Sequence, residues 1–178
     1  MKTFGGPAIL LDRNDINTDE IIPAKYLTEI TKAALKDHLL EDLLLDGRPF
    51  DIHSPAMQEA RVVVTRANFG CGSSREHAVW VFEVNDINVV IAESFARIFR
   101  QNMFNCGILA IELPPADIER LFTMRGELTI QVDLDKTEMT IRSSDPAQEP
   151  VSCTFQMNPF DRDLVAAGGW LAYADKKF

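Results

Sequence analysis

A short segment of the chain, residues 68–78 (NFGCGSSREHA), combines glycines, serines and an arginine within a few positions. Its two glycines allow the backbone to approach a ligand closely, because they lack a side chain. Ser73 and Glu76 match the S-x-x-E capping box, which predicts that a helix begins here with unpaired amide groups and a partial positive charge. Arg75 adds a planar guanidinium suited to a carboxylate or a phosphate. The segment therefore predicts a site for a small anionic ligand.

Several other glycine-rich motifs do not fit this segment. The nucleophile elbow of serine hydrolases requires G-x-S-x-G. A phosphate-binding P-loop requires a lysine before the hydroxyl residue, and the dinucleotide fingerprint requires a third glycine where Arg75 stands. A purely structural role, in which the glycines form a turn and Ser73 only caps a helix, stays open from the pattern alone. That role leaves the arginine and the second serine unexplained.

Three segments of the chain together resemble the swivel domain of the aconitase superfamily. The first is GSSREHA, within the segment described above. Residues 12–27 (DRNDINTDEIIPAKYL) are similar to the family's opening T-D-x-I-x-P pattern, and residues 94–109 (SFARIFRQNMFNCGIL) to its S-F-A-x-I-F-x-x-N-x-x-N-x-G pattern. Because the chain is short and stands alone, it most resembles the small subunit of 3-isopropylmalate dehydratase and its homoaconitase-like relatives.

This resemblance implies an activity and roles for particular residues. The activity is that of a hydro-lyase, which isomerises 2-isopropylmalate and 3-isopropylmalate by dehydration and rehydration in leucine biosynthesis. Ser73 is implied as the catalytic base, Arg75 as the group that binds a substrate carboxylate, and Ser74 as a further substrate contact. Asp19 is expected to support the serine or the arginine. His77 is expected on the same helix face as Ser73, where it either steers a proton or hydrogen-bonds locally.

The residues that follow PAKYL form, by the same resemblance, a mobile loop that gates the site and helps to choose the substrate. In this chain they are Thr28, Glu29, Ile30, Thr31 and Lys32. A tricarboxylate or homoaconitate has an extra carboxylate that needs an arginine, whereas an isopropyl group needs an apolar contact. The lack of arginine in the loop favours isopropylmalate. The alternatives are small subunits of homoaconitase, dimethylmalate hydratase or citraconate hydratase.

The cysteines bear on cofactors and partners. Cys71, Cys106 and Cys153 include no C-x-x-C pair, so neither a disulfide framework nor an iron-sulfur cluster is predicted in this chain. The acidic residues of segment 12–20 lack the spacing of a calcium loop. We therefore predict no metal and no cofactor here. The resemblance implies a four-iron four-sulfur cluster on a separate large subunit, with which this chain would form a heterodimer or heterotetramer.

Composition predicts one domain over residues 1–178, since 178 residues with 46% hydrophobic content can bury a single core. A net charge of −9 argues against nucleic acid as a partner. No apolar run approaches the roughly 20 residues needed to cross a bilayer, and the initial MKTFGGP lacks an apolar signal core. We therefore expect a cytoplasmic protein with no membrane partner and a small dicarboxylate as substrate.

Hydrophobic periodicity predicts strands that alternate with helices, and so an α/β fold. The resemblance implies a swivelling β/β/α domain of the aconitase type, with a mixed, mostly parallel sheet, flanking helices and a C-terminal hairpin. A short extended piece is predicted at residues 21–22, and Ser94 is predicted to cap the helix that follows it. The predicted strands are 7–11, 62–64, 88–92, 108–113 and the hairpin 127–133 with 137–142, and the predicted helices are 28–45, 74–85, 95–105, 116–123 and 161–167.

Two other classes of function are compatible with the same residues. One is a non-catalytic, anion-binding regulatory module that keeps the fold without a catalytic partner. The other is a stand-alone serine esterase, which needs a histidine and an acid beside Ser73. The only histidines are His38, His53 and His77. Inertness toward an activated ester would exclude the esterase.

Overall fold

The computed structural model describes residues 3–178, so the first two residues of the MKTFGGP segment lie outside the described part. Seven of the strands form one mixed sheet in the order β6-β5-β4-β1-β7-β8-β9, and β2 and β3 form a separate small hairpin. In chain order the strands and α-helices are β1 (Phe4–Leu10), α1 (Thr18–Ile21), β2 (Leu44–Leu45), β3 (Arg48–Pro49), α2 (Pro55–Glu59), β4 (Val62–Val64), α3 (His77–Val84), β5 (Val89–Ala92), α4 (Arg97–Asn105), β6 (Leu109–Glu112), α5 (Pro115–Thr123), β7 (Leu128–Asp133), β8 (Glu138–Ser143), β9 (Val151–Thr154), α6 (Pro159–Ala167) and α7 (Trp170–Lys177).

One half of the sheet is parallel. Strand β4 pairs in parallel with β1 and β5, and β5 pairs in parallel with β6. Strands β4 and β5 are buried along their whole length, as expected where helices cover both faces of a parallel sheet. Helix α3 connects β4 to β5, and helix α4 connects β5 to β6. Every parallel strand therefore ends at the same edge of the sheet.

The other half of the sheet is antiparallel. Strand β7 pairs with β1, and the predicted hairpin of β7 and β8 is extended by β9. The predicted α/β class with a mixed sheet, flanking helices and a C-terminal hairpin is thus confirmed. Strand β9 and helix α2 were not predicted. Among the described residues, no helix combines the length and the apolar character that a membrane span requires.

The helix predicted over residues 28–45 is wrong. The structure has two 3-10 helices, Ala24–Tyr26 and Lys32–His38, followed by turns and the β2–β3 hairpin. Leu40 takes a positive φ of 59°, and its amide donates to the Ile21 carbonyl at 2.9 Å. Leu39, Leu40 and Leu43 are buried from turns and irregular chain. The spacing of these leucines therefore resembles that of an α-helix, although none forms.

Candidate active site

The three family-like segments meet at one edge of the sheet. Residues 12–20 follow β1, residues 67–75 follow β4, and residues 94–96 follow β5. These strands are parallel neighbours, so their carboxyl ends lie side by side. This edge is where open α/β sheets place their ligands.

Hydrogen bonds join the first two segments. The Gly70 amide donates to the Ile16 carbonyl at 2.9 Å, and the Thr18 amide donates to the Cys71 carbonyl at 2.9 Å. The buried Thr18 hydroxyl donates to the Ser73 carbonyl at 2.9 Å. The backbone of the serine loop is therefore held by the segment that follows β1.

The segment after β5 supports the start of the same loop. The Phe69 amide donates to the Ser94 carbonyl at 3.1 Å, and the Ala96 amide donates to the Phe69 carbonyl at 2.9 Å. The Ser94 hydroxyl accepts from the Asn68 amide at 2.8 Å. Ser94 was predicted to cap the helix after β5, and this is wrong, because α4 begins at Arg97 without a side-chain cap.

Gly70 is required by close packing beneath the loop. Its φ is +81°, and a Cβ at this position would lie 2.3 Å from Cγ of Phe99 on α4. Phe99 in turn makes an edge-to-face contact with Phe69, with ring centroids 5.5 Å apart. The absence of a side chain at Gly70 therefore lets the backbone of the loop pack directly against Phe99.

The capping box predicted for Ser73 and Glu76 is wrong. Helix α3 begins at His77, and Glu76 has helical dihedrals and makes no side-chain cap bond. Ser73 thus lies in an irregular loop, four residues before the helix. Because the helix dipole acts mainly within the first turn, its effect on the Ser73 hydroxyl is weaker than the sequence suggested.

A complete capping box is present instead at α1. The Asn17 side chain accepts from the Glu20 amide at 3.0 Å, and the Glu20 carboxylate accepts from the Asn17 amide at 3.3 Å. Residues 21–22, predicted to be extended, are therefore the end and C-cap of this short helix. Sequence reasoning missed Asn17 and Thr18, although N-x-x-E is itself a capping signal.

Arg75 and Asp19 form an ion pair. Arg75 Nη1 donates to Asp19 Oδ1 at 2.5 Å, and the side chains are 21% and 62% exposed respectively. A guanidinium carries five N–H donors, so this contact leaves others for a ligand. The structure thus brings together two of the predicted site residues. Their catalytic roles stay a prediction.

A cleft of about 930 Å³ opens beside the serine loop. Ser74 and Arg75 line it, and Ser73 is exposed next to them although it does not line the cleft itself. The charged side chains of the lining are Arg75, Arg97, Arg100, Glu112 and Asp161. Two of these arginines are ion-paired, Arg75 with Asp19 and Arg100 with Glu112, where Nη1 and Oε1 lie 4.0 Å apart. The cleft therefore offers an anion the remaining guanidinium donors, although it carries no clear excess of positive charge.

His77 lies elsewhere than predicted. Ser73 is not helical, so the two residues do not share a helix face. The His77 Nε2 atom lies 2.9 Å from the Glu29 carbonyl oxygen, and its ring packs 4.7 Å from that of Trp80. His77 thus contacts the predicted specificity loop. A role in proton transfer stays a prediction, without support from these contacts.

The predicted specificity loop, residues 28–32, connects the two 3-10 helices and is exposed throughout. Ile30 is 91% exposed. Lys32 Nζ pairs with Glu83 Oε2 on α3 at 2.8 Å. The single cation of the loop is therefore already neutralised by the protein.

The comparison with known families decides how these features are interpreted. Residues 3–116 match the model of the aconitase C-terminal domain. This range contains all three segments that meet at the sheet edge. The chain belongs to the aconitase C-terminal domain family.

Within the aconitase C-terminal domain family, the chain is similar to small subunits of 3-isopropylmalate dehydratase. It is 39% identical over 147 residues to that of Pseudoalteromonas translucida (strain TAC 125), covering 79% of this chain and 74% of the relative. It is 32% identical over 173 residues to that of Bacillus subtilis (strain 168), covering 94% and 85%. The predicted resemblance is confirmed.

A solved structure agrees with this assignment. The 3-isopropylmalate dehydratase structure from Methanocaldococcus jannaschii DSM2661 superposes with a TM-score of 0.76 at 30% identity, covering 99% of this chain and 95% of the other. The aconitase-family fold therefore extends over nearly the whole chain, beyond the range that the family model matches.

The cysteines of this aconitase-family chain do not fit an iron-sulfur cluster. Within residues 3–178, no group of three or more histidine, cysteine, aspartate or glutamate side chains is placed to hold a metal ion. Cys71 is the cysteine of the serine loop. Burial raises the pKa of its thiol, and the Asp15 carboxylate raises it further, because both disfavour the thiolate that would bind a metal.

Proposed function

We propose that this chain is the small subunit of a heteromeric hydro-lyase that interconverts 2-isopropylmalate and 3-isopropylmalate by dehydration and rehydration in leucine biosynthesis. The observation that carries the proposal is the exposed Ser73 and Ser74 beside Arg75 at the rim of a cleft that three arginines line. They occur in a chain whose relatives are named 3-isopropylmalate dehydratase small subunits.

The reaction needs a strong base. It removes a proton from the carbon beside one carboxylate and hydroxide from the neighbouring carbon. Water is then added back so that the hydrogen and the hydroxyl group have exchanged carbons. We assign the proton to the Ser73 oxygen. The nearby guanidinium of Arg75 stabilises the alkoxide electrostatically. The Thr18 bond to the Ser73 carbonyl holds the backbone that carries this hydroxyl.

Arg75 binds a substrate carboxylate in the proposed mechanism. Its bond to Asp19 uses Nη1, so the free donors of the guanidinium form the fork that a carboxylate needs. Asp19 orients this fork, because the ion pair limits rotation of the side chain. Ser74 lines the same cleft and supplies a further polar contact. A substrate fixed at two points presents its reacting carbon to Ser73 in a defined orientation.

The loop of residues 28–32 supports isopropylmalate as the substrate. A substrate with a third carboxylate needs an arginine here, and the loop has none; its one cation, Lys32, is paired with Glu83. Ile30 offers exposed apolar surface, which suits a branched hydrocarbon group. Transfer of one methyl-sized group into apolar surroundings is worth about 1 kcal/mol, so the loop discriminates between related acids by modest factors.

The proposal requires a partner. Ser73, Ser74 and Asp19 are exposed in this chain, whereas electrostatic stabilisation of an alkoxide is strong only where bulk water is kept out. We therefore propose that a large subunit covers the cleft, in a heterodimer or heterotetramer, and that it carries a four-iron four-sulfur cluster. No residue of this chain is assigned to that cluster.

Reconstitution tests the proposal. The purified chain is mixed anaerobically with the large subunit encoded by the same organism, and each component is also assayed alone. Isopropylmalate, homoaconitate, dimethylmalate and citraconate are compared by kcat/KM. We expect activity only in the mixture, with isopropylmalate preferred by about tenfold or more, and no iron in the isolated chain.

Two outcomes would reject the proposal. Preference for homoaconitate, dimethylmalate or citraconate would assign the chain to the small subunit of the corresponding hydratase instead. A stable complex without activity on any of the four acids would favour the non-catalytic, anion-binding module.

A further inference from the structure

One side of α3 carries three side chains that contact the loop of residues 28–32. They are His77, Trp80 and Glu83, spaced three residues apart so that they lie on neighbouring turns. His77 Nε2 lies 2.9 Å from the Glu29 carbonyl oxygen, at the start of the loop. At its end, Lys32 Nζ bonds Glu83 at 2.8 Å.

Trp80 links the two contacts. Its ring lies 4.7 Å from the His77 ring, and Lys32 Nζ lies 5.7 Å from its centroid, within the range of a cation–π interaction. The three α3 side chains therefore form a continuous surface beneath both ends of the loop.

Few other contacts hold the middle of the loop. Residues 28–32 are exposed, and Ile30 between the two contacts is 91% exposed. One further hydrogen bond, from the Glu29 amide to the Tyr26 carbonyl at 3.1 Å, is local. The 3-10 helices Ala24–Tyr26 and Lys32–His38 fix the two ends of the loop. Between them burial does not fix residues 28–31, so their order depends on the polar contacts with α3.

We propose that His77, Trp80 and Glu83 are positioning residues that hold the loop of residues 28–32 against α3. Helix α3 begins two residues after Arg75. Contacts between the loop and α3 therefore fix the position of the loop relative to Arg75. The consequence for substrate choice rests on the proposed function, whereas the ordering of the loop does not.

The contact also indicates which ring nitrogen of His77 carries a hydrogen. A carbonyl oxygen only accepts hydrogen bonds, so Nε2 must carry the hydrogen. His77 is therefore either the Nε2–H tautomer or the imidazolium, and Nε2 is not free to accept a proton. This role replaces the proton transfer considered from the sequence.

A nuclear magnetic resonance measurement on the isolated full chain tests the first contact without any variant. Imidazole ¹⁵N shifts at a pH where His77 is neutral report which ring nitrogen is protonated. We expect the Nε2–H tautomer. A neutral Nδ1–H tautomer would overturn the proposal, because its Nε2 lone pair would face the carbonyl oxygen.

Backbone order parameters of residues 28–31 test the combined effect. In the unaltered chain we expect values near about 0.85, and in the double variant His77→Ala with Glu83→Gln values below about 0.6. His77→Gln retains an N–H donor and is expected to restore most of the order. The matched control is His53→Ala with Glu59→Gln, which changes the same residue types away from the loop.

The remaining outcomes separate this proposal from the proposed function. Unchanged order in the double variant, or an equal loss in the control, would overturn the positioning role whatever the enzyme does. In the reconstituted enzyme, the double variant is expected to raise KM several-fold with a smaller change in kcat, because only the fraction of ordered loop is competent to bind. Loss of kcat alone would contradict a positioning role.

Discussion

At the scale of single residues, the proposed chemistry depends on Ser73 and Arg75. The sequence pointed to both through the resemblance of GSSREHA to the family motif, and their catalytic roles stay predictions. It included Thr18 in the T-D-x-I-x-P pattern but gave no role to its buried hydroxyl, which donates to the Ser73 carbonyl. A threonine beside an acidic residue has no chemical signature of its own, and only the strand pairing brings it to the loop.

Arg75→Lys tests the carboxylate contact. An ammonium keeps the charge but loses the planar fork that binds a carboxylate at two points and Asp19 at a third. We expect kcat/KM for isopropylmalate in the reconstituted enzyme to fall by about 10²-fold. The matched control is Arg142→Lys on β8, an exposed arginine in the antiparallel half of the sheet. Equal activity of the Arg75 and Arg142 variants would contradict the assigned role.

At the scale of elements, continuous apolar runs and apolar–polar alternation predicted strands correctly, whereas the helical spacing of leucines in residues 28–45 failed because turns bury those side chains. The strands of the parallel half and the hairpin of β7 and β8 were found because their apolar patterns match their burial. The capping box was assigned to Ser73 when it belongs to Asn17. Both sites match the pattern, and only the backbone geometry distinguishes them.

Asn17→Ala tests the importance of α1 for the site. Loss of the cap is expected to lower the free energy of unfolding by about 1 kcal/mol, which corresponds to a fall in Tm of about 2–4 °C. Because α1 carries Thr18 and Asp19, kcat/KM should fall as well. Thermal unfolding and activity of the reconstituted enzyme measure the two effects.

A second cap provides the matched control for this variant. Ser54 caps α2, where its side chain accepts from the Met57 amide at 3.3 Å, and no residue of α2 lines the cleft. Ser54→Ala should cost similar stability while kcat/KM stays unchanged. If both variants lowered activity equally, the effect of Asn17 would be one of general stability.

At the scale of the whole molecule, the two halves of the sheet have different roles. Its parallel half brings three loops to one edge, and the antiparallel half extends the sheet away from them. The acidic chain presents a cleft lined by arginines at that edge, and this cleft stays open to solvent. In the proposed function, the molecule supplies one side of a catalytic site and the large subunit supplies the other.

The central claim is that Ser73 removes a proton from the substrate, and the variant Ser73→Ala in the reconstituted enzyme tests it most directly. Ser152→Ala on β9 is the matched control, since Ser152 is exposed in the antiparallel half of the sheet. We predict that kcat falls by about 10³-fold or more for Ser73→Ala, with unchanged Tm and unchanged assembly with the large subunit. A kcat equal to that of the Ser152 control would contradict the account.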